Sequence, residues 1–363
     1  MTMTENAVHA PHLAGKKVLL TGGTGFVGRH LLPQLLEAGA QVTCLTRAAS
    51  RTGHLPAGVE TVQADLSTGQ GLAEALHGKD VVIHMAALLF GLGWQDYLRA
   101  NALAARSMGS AITSLACAGN LGADFRFVLV SSLAATGPSG TAPGVDDATP
   151  PAPVSAYGWS KMLTEQVLGR ALGQSLVTLR PPIIYGSGDK GLLPVFQGAM
   201  RAHVAVSPGA GREFPVSAVH ADDMAQAVLC ACRPEASGVY HLSDGEAYTM
   251  SGFCRGMGAA VDKALGRAPR NMRVVRMPLP VMACTAGLST AFAVAADAVS
   301  RRLLGRGLRR APAWNLDKYR EARQAGWLCD NSRICRELGF APRVSLEAGM
   351  TEAIDGYRRE GWL

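Results

Sequence analysis

The chain has 363 residues, 48% of them hydrophobic, and a formal charge of +7. Its basic residues are not interleaved with aromatics in any recognisable nucleic-acid module, which argues against that class of partner, and the length suits a nucleotide-binding domain with a smaller cap. The eight cysteines (44, 117, 230, 232, 254, 284, 329 and 335) show no repeated metal-ligand spacing, so no metal is expected and they read as reduced thiols of a cytoplasmic protein.

Residues 1–15 contain an early acid and lack a hydrophobic signal core; a short disordered tail is expected there. Lys17 to Thr21 (KVLLT) form an apolar run followed directly by Gly22, Gly23, Thr24, Gly25, Phe26, Val27 and Gly28, after which a helical pattern runs from Val27 to Ala38. Strand, glycine-rich turn and helix are the context of a dinucleotide-binding fingerprint, here spaced G-x-x-G-x-x-G. Gly22 permits the tight turn, Gly25 lets backbone approach a pyrophosphate, and Gly28 allows helix to pack on strand. The helix N-terminus supplies N–H donors and partial positive charge. Gln41 to Leu45 (QVTCL) reads as a second strand, ended by Thr46 and Arg47, and Val59 to Leu66 (VETVQADL) as a third, ending in Asp65-Leu66. Strands alternate with helical segments to about Arg180, which predicts an α/β fold with a doubly wound parallel sheet.

Downstream, Tyr157-Gly158-Trp159-Ser160-Lys161 puts a phenol and an amine four residues apart, on one face of a helix. An ammonium beside the phenol would favour phenolate and lower a pKa that is otherwise about 10, so that Tyr157 could pass a proton near neutrality.

TGGTGFVG followed by YGWSK resembles the extended short-chain dehydrogenase/reductase superfamily, also called the NAD-dependent epimerase/dehydratase superfamily, over roughly Lys16 to Leu363. The resemblance implies a Rossmann domain over 16–185 and a discontinuous substrate-binding cap over 186–363, with segments near 215–245 returning to the Rossmann domain. It further implies cofactor contacts from Gly22, Gly25, Phe26, Val27, Gly28, Asp65, Leu66, Ala86, Ala87, Tyr157, Lys161 and Pro181. Ser132, 25 residues before Tyr157, is the implied catalytic serine that orients a substrate oxygen, while Ser131 caps or fills the strand end. Asn101 stands where the family has an active-site asparagine, positioning the helix or a proton-relay water. Lys161 holds the nicotinamide ribose and tunes Tyr157.

In this family an acid closing the second strand grips the ribose of NAD. Here Arg47 stands in its place, with Arg51 nearby, which favours NADP(H) over NAD(H) through charge-assisted pairing with a ribose phosphate. The dehydratase acid pair is missing, because Ser132 is followed by Leu133-Ala134. Pro181-Pro182 replaces the phenylalanine-asparagine of sugar epimerases and resembles the dihydroflavonol reductase and hydroxysteroid dehydrogenase branch. The epimerase arginine is also absent at Ser217-Ala218, Arg212 being the nearest. The expected activity is an NADP(H)-dependent interconversion of ketone and secondary alcohol on a fairly apolar small molecule; the alternatives are a nucleotide-sugar epimerase with tightly bound NAD, and a cofactor sensor without chemistry.

The apolar, glycine-jointed stretch Leu88 to Trp94 offers Leu92 and Trp94 as substrate contacts, against a plain packing role on the cap. Leu279 to Val299 approaches the length needed to span a bilayer but contains Pro280, Thr285, Ser289, Thr290 and Asp297. It reads first as a buried or groove-lining helix, with monotopic membrane attachment through 279–310 as the alternative, aided by Arg301, Arg302, Arg306, Arg309 and Arg310. His84 and His220 read as structural. Asp330 and Ser332 read as helix caps, and a final helix from Leu346 to Tyr357 is expected. The resemblance also implies a homodimer paired through the helices bearing Asn101 and Tyr157.

Overall fold

The computed structural model describes residues 10–363 apart from 48, 49, 51, 210, 211, 269, 306 and 308–310. In chain order the first half contains β1 (Lys17–Thr21), α1 (Phe26–Glu37), β2 (Gln41–Thr46), β3 (Glu60–Gln63), α2 (Leu72–Leu76), β4 (Val81–His84), α3 (Trp94–Tyr97), α4 (Ala104–Cys117), β5 (Arg126–Val130), α5 (Leu133–Thr136), α6 (Ala156–Leu172), β6 (Leu176–Arg180) and β7 (Ile183–Tyr185). There follow α7 (Leu193–Ala202), β8 (Val204–Pro208), β9 (Pro215–Val216), β10 (Ala218–His220), α8 (Ala221–Ala231), β11 (Gly238–His241), β12 (Tyr248–Thr249), α9 (Met250–Ala264), β13 (Arg273–Met277), α10 (Leu279–Leu304), α11 (Leu316–Ala322), α12 (Ser332–Leu338) and α13 (Leu346–Arg359).

Seven parallel strands form the main sheet in the order β11-β6-β5-β4-β1-β2-β3. Strands β1, β4 and β5 are near-continuous apolar runs because helices cover both faces. One face packs on α1 and α8, the other on α2, α4 and α6. Strand order reverses beside β1, where β2 leaves on one side and β4 arrives on the other, so the carboxyl ends of β1 and β4 frame the crevice in which such sheets hold ligands. A separate core joins α7, α9 and α13 with β8 and β13, and these make the cap.

Several expected boundaries move. Ala10 and Leu13 are buried in the main core, Leu13 in a short helical turn, so residues 10–15 are not a loose tail; residues 1–9 lie outside the described residues. The third strand stops at Gln63. Asp65 then forms a turn in which its carboxylate accepts Ser67 N–H at 2.7 Å. The long apolar segment is helix α10, but it is not buried: of its described side chains only Met282, Ala286 and Ala293 are shut from solvent.

Candidate active site

A cleft of about 610 Å³ runs across the carboxyl ends of the central strands. Gly22, Gly25, Phe26, Val27 and Gly28 line its floor. Gly22 has φ +79°, and a Cβ there would come within 2.9 Å of the Ala86 nitrogen. A Cβ on Gly28 would overlap the Gly23 carbonyl, so α1 can pack on its strand only through glycine. Gly25 caps α1 without a side chain, leaving the helix N-terminus open toward the cleft.

Strand order puts Arg47, Asp65 and Leu66 at the β2–β3 end of this cleft and Tyr157, Lys161 and Pro181 at the other, with Ala86 and Ala87 between. Hydrogen bonding from Ser67 N–H holds the Asp65 carboxyl below its ordinary pKa. Arg51 lies outside the described residues. A glycine-only backbone cradle, an open helix N-terminus and a cation where β2 ends fit a nicotinamide dinucleotide.

The reacting side chains come from α5 and α6. Helix α6 begins with a complete account of its free N–H groups: Ser155 Oγ accepts Gly158 N–H at 2.9 Å, and Asp317 of α11 accepts those of Ala156 at 2.6 Å and Tyr157 at 3.1 Å. Tyr157 is thereby fixed in the first turn. Burial pushes its phenol up to about 12, opposed by a hydrogen bond from Ser132. Ser132 itself starts α5 and accepts Ala134 N–H at 3.1 Å. Burial lowers the Lys161 ammonium to about 8, and its Nζ donates to the Val130 carbonyl at 2.7 Å. This corrects the expected electrostatics: the group that eases ionisation of Tyr157 is Ser132, while Lys161 is tied to the end of β5.

Neighbouring polar groups sort themselves by partner. Ser131 donates to Glu165, which also pairs with Arg180 (Nη2–Oε2 2.5 Å), so Ser131 belongs to a buried structural network and Ser132 faces the cleft. Asn101 does not reach the reacting groups. Its amide donates to Ser160 Oγ at 2.9 Å and to the Leu88 carbonyl at 3.2 Å, and its oxygen accepts Leu88 N–H at 2.8 Å. It sits in a wide π-helical turn, Leu98–Leu103, and positions α6 against the 88–94 loop. His84 is buried against Thr21 Oγ1 at 2.7 Å and is driven down to about 3 by burial and by Lys161, which keeps it neutral. No group of three or more His, Cys, Asp or Glu residues is placed to hold a metal among the described residues.

Beside Ser132 and Tyr157 a second cavity of about 690 Å³ opens under the cap. Leu89, Val206, Phe214, Met250, Met282 and Trp314 contribute to its walls, which are predominantly apolar. Leu92 and Trp94 do not line it. Leu92 is held in the loop, its N–H donating to Asp96 at 2.9 Å, and Trp94 projects outward at the start of α3, so Leu89 is the contact that segment provides.

The charged groups of this cavity come from α11 and were not anticipated. Lys318 Nζ lies 4.5 Å from the centre of the Tyr157 ring and 2.9 Å from Glu321, and Glu321 accepts the Ser155 hydroxyl at 2.6 Å. Arg212, the nearest counterpart of the epimerase arginine, instead donates to the carbonyls of Arg323 at 3.3 Å and Gln324 at 3.4 Å.

Residues 18–243 match the model of the NAD dependent epimerase/dehydratase family. A ceramide reductase of Caulobacter vibrioides is 32% identical over 350 residues, covering 95% of this chain and 96% of that protein. A 4-hydroxy-2-methyl-3-oxo-4-farnesyl-3,4-dihydroquinoline-1-oxide ketoreductase of Stigmatella aurantiaca is 28% identical over 352 residues, covering 95% and 96%. Among solved structures, the Bordetella bronchiseptica enzyme WbmG in complex with NAD and UDP superposes with a TM-score of 0.70 at 16% identity, covering 96% of this chain and 97% of the other. The chain belongs to the NAD-dependent epimerase/dehydratase family and is an NAD(P)-dependent oxidoreductase of the extended short-chain dehydrogenase/reductase type.

Proposed function

We propose that this protein interconverts a ketone and a secondary alcohol on a lipid-like molecule, using NADP(H). The observation that carries the reading is the apolar 690 Å³ cavity abutting Ser132 and Tyr157. Its one cation among the described residues, Lys318, is already paired with Glu321, so a sugar diphosphate would find no spare charge there. The names of the two relatives above, a ceramide and a farnesylated dihydroquinoline oxide, support a substrate with a long hydrocarbon part.

In reduction, the Tyr157 hydroxyl gives its proton to the carbonyl oxygen as the carbonyl carbon becomes an alcohol carbon. The Ser132 hydroxyl hydrogen-bonds the same oxygen and steadies the phenolate left on Tyr157. The bound dinucleotide supplies the hydride and takes it back in the reverse direction. Lys161 would hold the nicotinamide ribose, the glycine turn the pyrophosphate, and Arg47 the ribose phosphate that distinguishes NADP. Substituting Tyr157→Phe should cut turnover by at least about 10²-fold while NADPH affinity stays within a few-fold; retained turnover would refute the role. Calorimetric titration with NADPH and NADH tests the cofactor: Arg47→Asp should weaken NADPH by about tenfold or more and spare NADH. NAD that copurifies and resists stripping would instead favour the epimerase.

A homodimer paired through α4 and α6 is part of the proposal, supported by the exposure of Leu103 and Trp159 beside and on these helices; a monomeric mass by light scattering would refute it. A cytoplasmic site is the matching expectation for eight free thiols, testable by cell fractionation.

A further inference from the structure

Helix α10 is built inside out. In an ordinary surface helix the apolar stripe faces the core and the polar face meets water. Here the hydroxyl-bearing side turns inward: Trp314 Nε1 donates to Thr285 Oγ1 at 3.1 Å, Ser289 Oγ to the Trp314 carbonyl at 2.8 Å, and Leu316 N–H to Thr290 Oγ1 at 2.9 Å. The opposite side carries Leu288, Phe292 and Leu303, exposed by 73%, 79% and 75%, with Val281, Val294 and Val299 beside them. Of the thirteen large hydrophobic side chains exposed among the described residues, these six lie on this one helix.

Three observations say what covers that face. First, the only acid between residues 279 and 304 is Asp297, whose side chain is 14% exposed and engaged by Arg301 at 2.7 Å, so the outward face is free of negative charge. Its C-terminal end carries Arg301 and Arg302, both exposed, and Arg306, Arg309 and Arg310 follow in the sequence. An apolar stripe ending in arginines matches the acyl and headgroup layers of an anionic membrane. Second, the helix does not cross that membrane. Its 26 residues span about 39 Å, enough by length and composition, yet the seam through Met282, Ala286 and Ala293 is sealed against the protein and the 314–316 strap is hydrogen-bonded along it. A spanning helix meets lipid on all sides; this one can only lie flat. Third, Met282 and Thr285 of the same helix wall the apolar cavity that reaches Tyr157, and Val206, half exposed, lies at that wall too. The lipid-facing side and the substrate cavity are thus two sides of one helix.

We propose that the outward face of α10 docks on an anionic phospholipid bilayer and that the cavity beside Tyr157 takes its substrate from that surface. The second half rests on the oxidoreductase reading above. The arrangement lets a long-chain ketone enter beside α10 without crossing water, while its polar end meets Ser132, Tyr157 and the Lys318–Glu321 pair.

The test is flotation of the full-length protein with phosphatidylcholine vesicles, with and without phosphatidylglycerol, for the parent chain and for Leu288→Glu/Phe292→Glu. The parent should float with the anionic vesicles, and the double variant should bind at least about tenfold less with an unchanged circular-dichroism melt and NADPH titration. The variant should also keep the parent's turnover of a short water-soluble ketone and lose turnover of a long-chain ketone carried in the vesicles. Parent protein left unbound, equal binding by both, or a lipid-free parent dimer that the substitutions split, which would make the face a contact between copies, would each overturn the proposal. Failure of the oxidoreductase reading registers separately, as no NADPH oxidation by either protein with the soluble ketone, and leaves vesicle binding readable.

Discussion

Asp317 is the side chain whose removal should be felt most directly in the catalytic helix, although it lies 160 positions from Tyr157 in sequence. Its two carboxylate oxygens accept the N–H groups of Ala156 and Tyr157, at 2.6 and 3.1 Å, and its side chain is only 11% exposed. A hydrogen bond to a charged group contributes about 1.5–3 kcal/mol net, and a negative charge at a helix N-terminus adds about 0.3–1 kcal/mol. Two such bonds from one carboxylate share a single desolvation, and Ser155 still caps Gly158, so the Asp317→Ala loss should be about 2–3 kcal/mol. Asp317→Asn keeps one acceptor oxygen and should lose about half of that. Urea unfolding with a common m-value gives the stability; steady-state kinetics should show kcat falling more than the KM for NADPH, because the first turn carries Tyr157 while the glycine turn is untouched. An Asp317→Ala loss below about 0.5 kcal/mol would refute this account and mean that water replaces the carboxylate at no cost.

Lys161 should oppose stability. Its folded pKa of about 8 is below the ordinary lysine value, so between about pH 8 and 10 the unfolded chain binds the extra proton and stability rises with pH. At pH 7 Lys161→Met should therefore raise stability by about 1–2 kcal/mol after the lost bond to Val130 is counted, with the gain shrinking above pH 8 and turnover abolished; a less stable variant at pH 7 would contradict this. Removing one member of the buried Glu165–Arg180 pair, as in Glu165→Ala, should cost about 3–5 kcal/mol, whereas Glu165→Leu with Arg180→Met should recover most of it in a thermal melt. Ser132→Ala withdraws the hydrogen bond that opposes the upward shift of Tyr157, so the alkaline rise in alcohol oxidation should move to higher pH; an unmoved profile would assign that role elsewhere.

The two halves of the site differ in how far sequence could reveal them, and the difference is one of chain distance. The phosphate turn is local: strand, glycines and helix start lie within Lys17 to Glu37, and each glycine answers a contact made by its immediate neighbours or by the adjoining strand. Tyr157 and Lys161 are one helical turn apart, so their shared face follows from spacing alone. What spacing could not say is where the lysine ends: its long chain reaches the Val130 carbonyl, on a strand whose position depends on the whole sheet. Asp317, Lys318 and Glu321 gave no local signal, because a short charged helix after an apolar one looks like any solvated segment. Leu92 and Trp94 failed for the converse reason. Their loop is apolar as expected, but Asp96 and Asn101 fold it so that Leu89 faces the cavity.

Helix α11 joins these parts into one mechanical unit. Its Asp317 ends the catalytic helix, its Lys318 and Glu321 flank Tyr157, and the residues just before it, Trp314 and Leu316, are hydrogen-bonded to α10. A load on the outer face of α10 is therefore two short steps from the phenol, through bonds of 2.6 to 3.1 Å. The same linkage explains why the inward face of α10 carries threonine and serine where leucine would ordinarily pack: a hydroxyl fixes the strap's position to one geometry, whereas apolar packing would leave it free to slide. The polar inner face and the apolar outer face of α10 thus follow from separate demands, one from the Tyr157 pocket and one from the surface on which the helix rests.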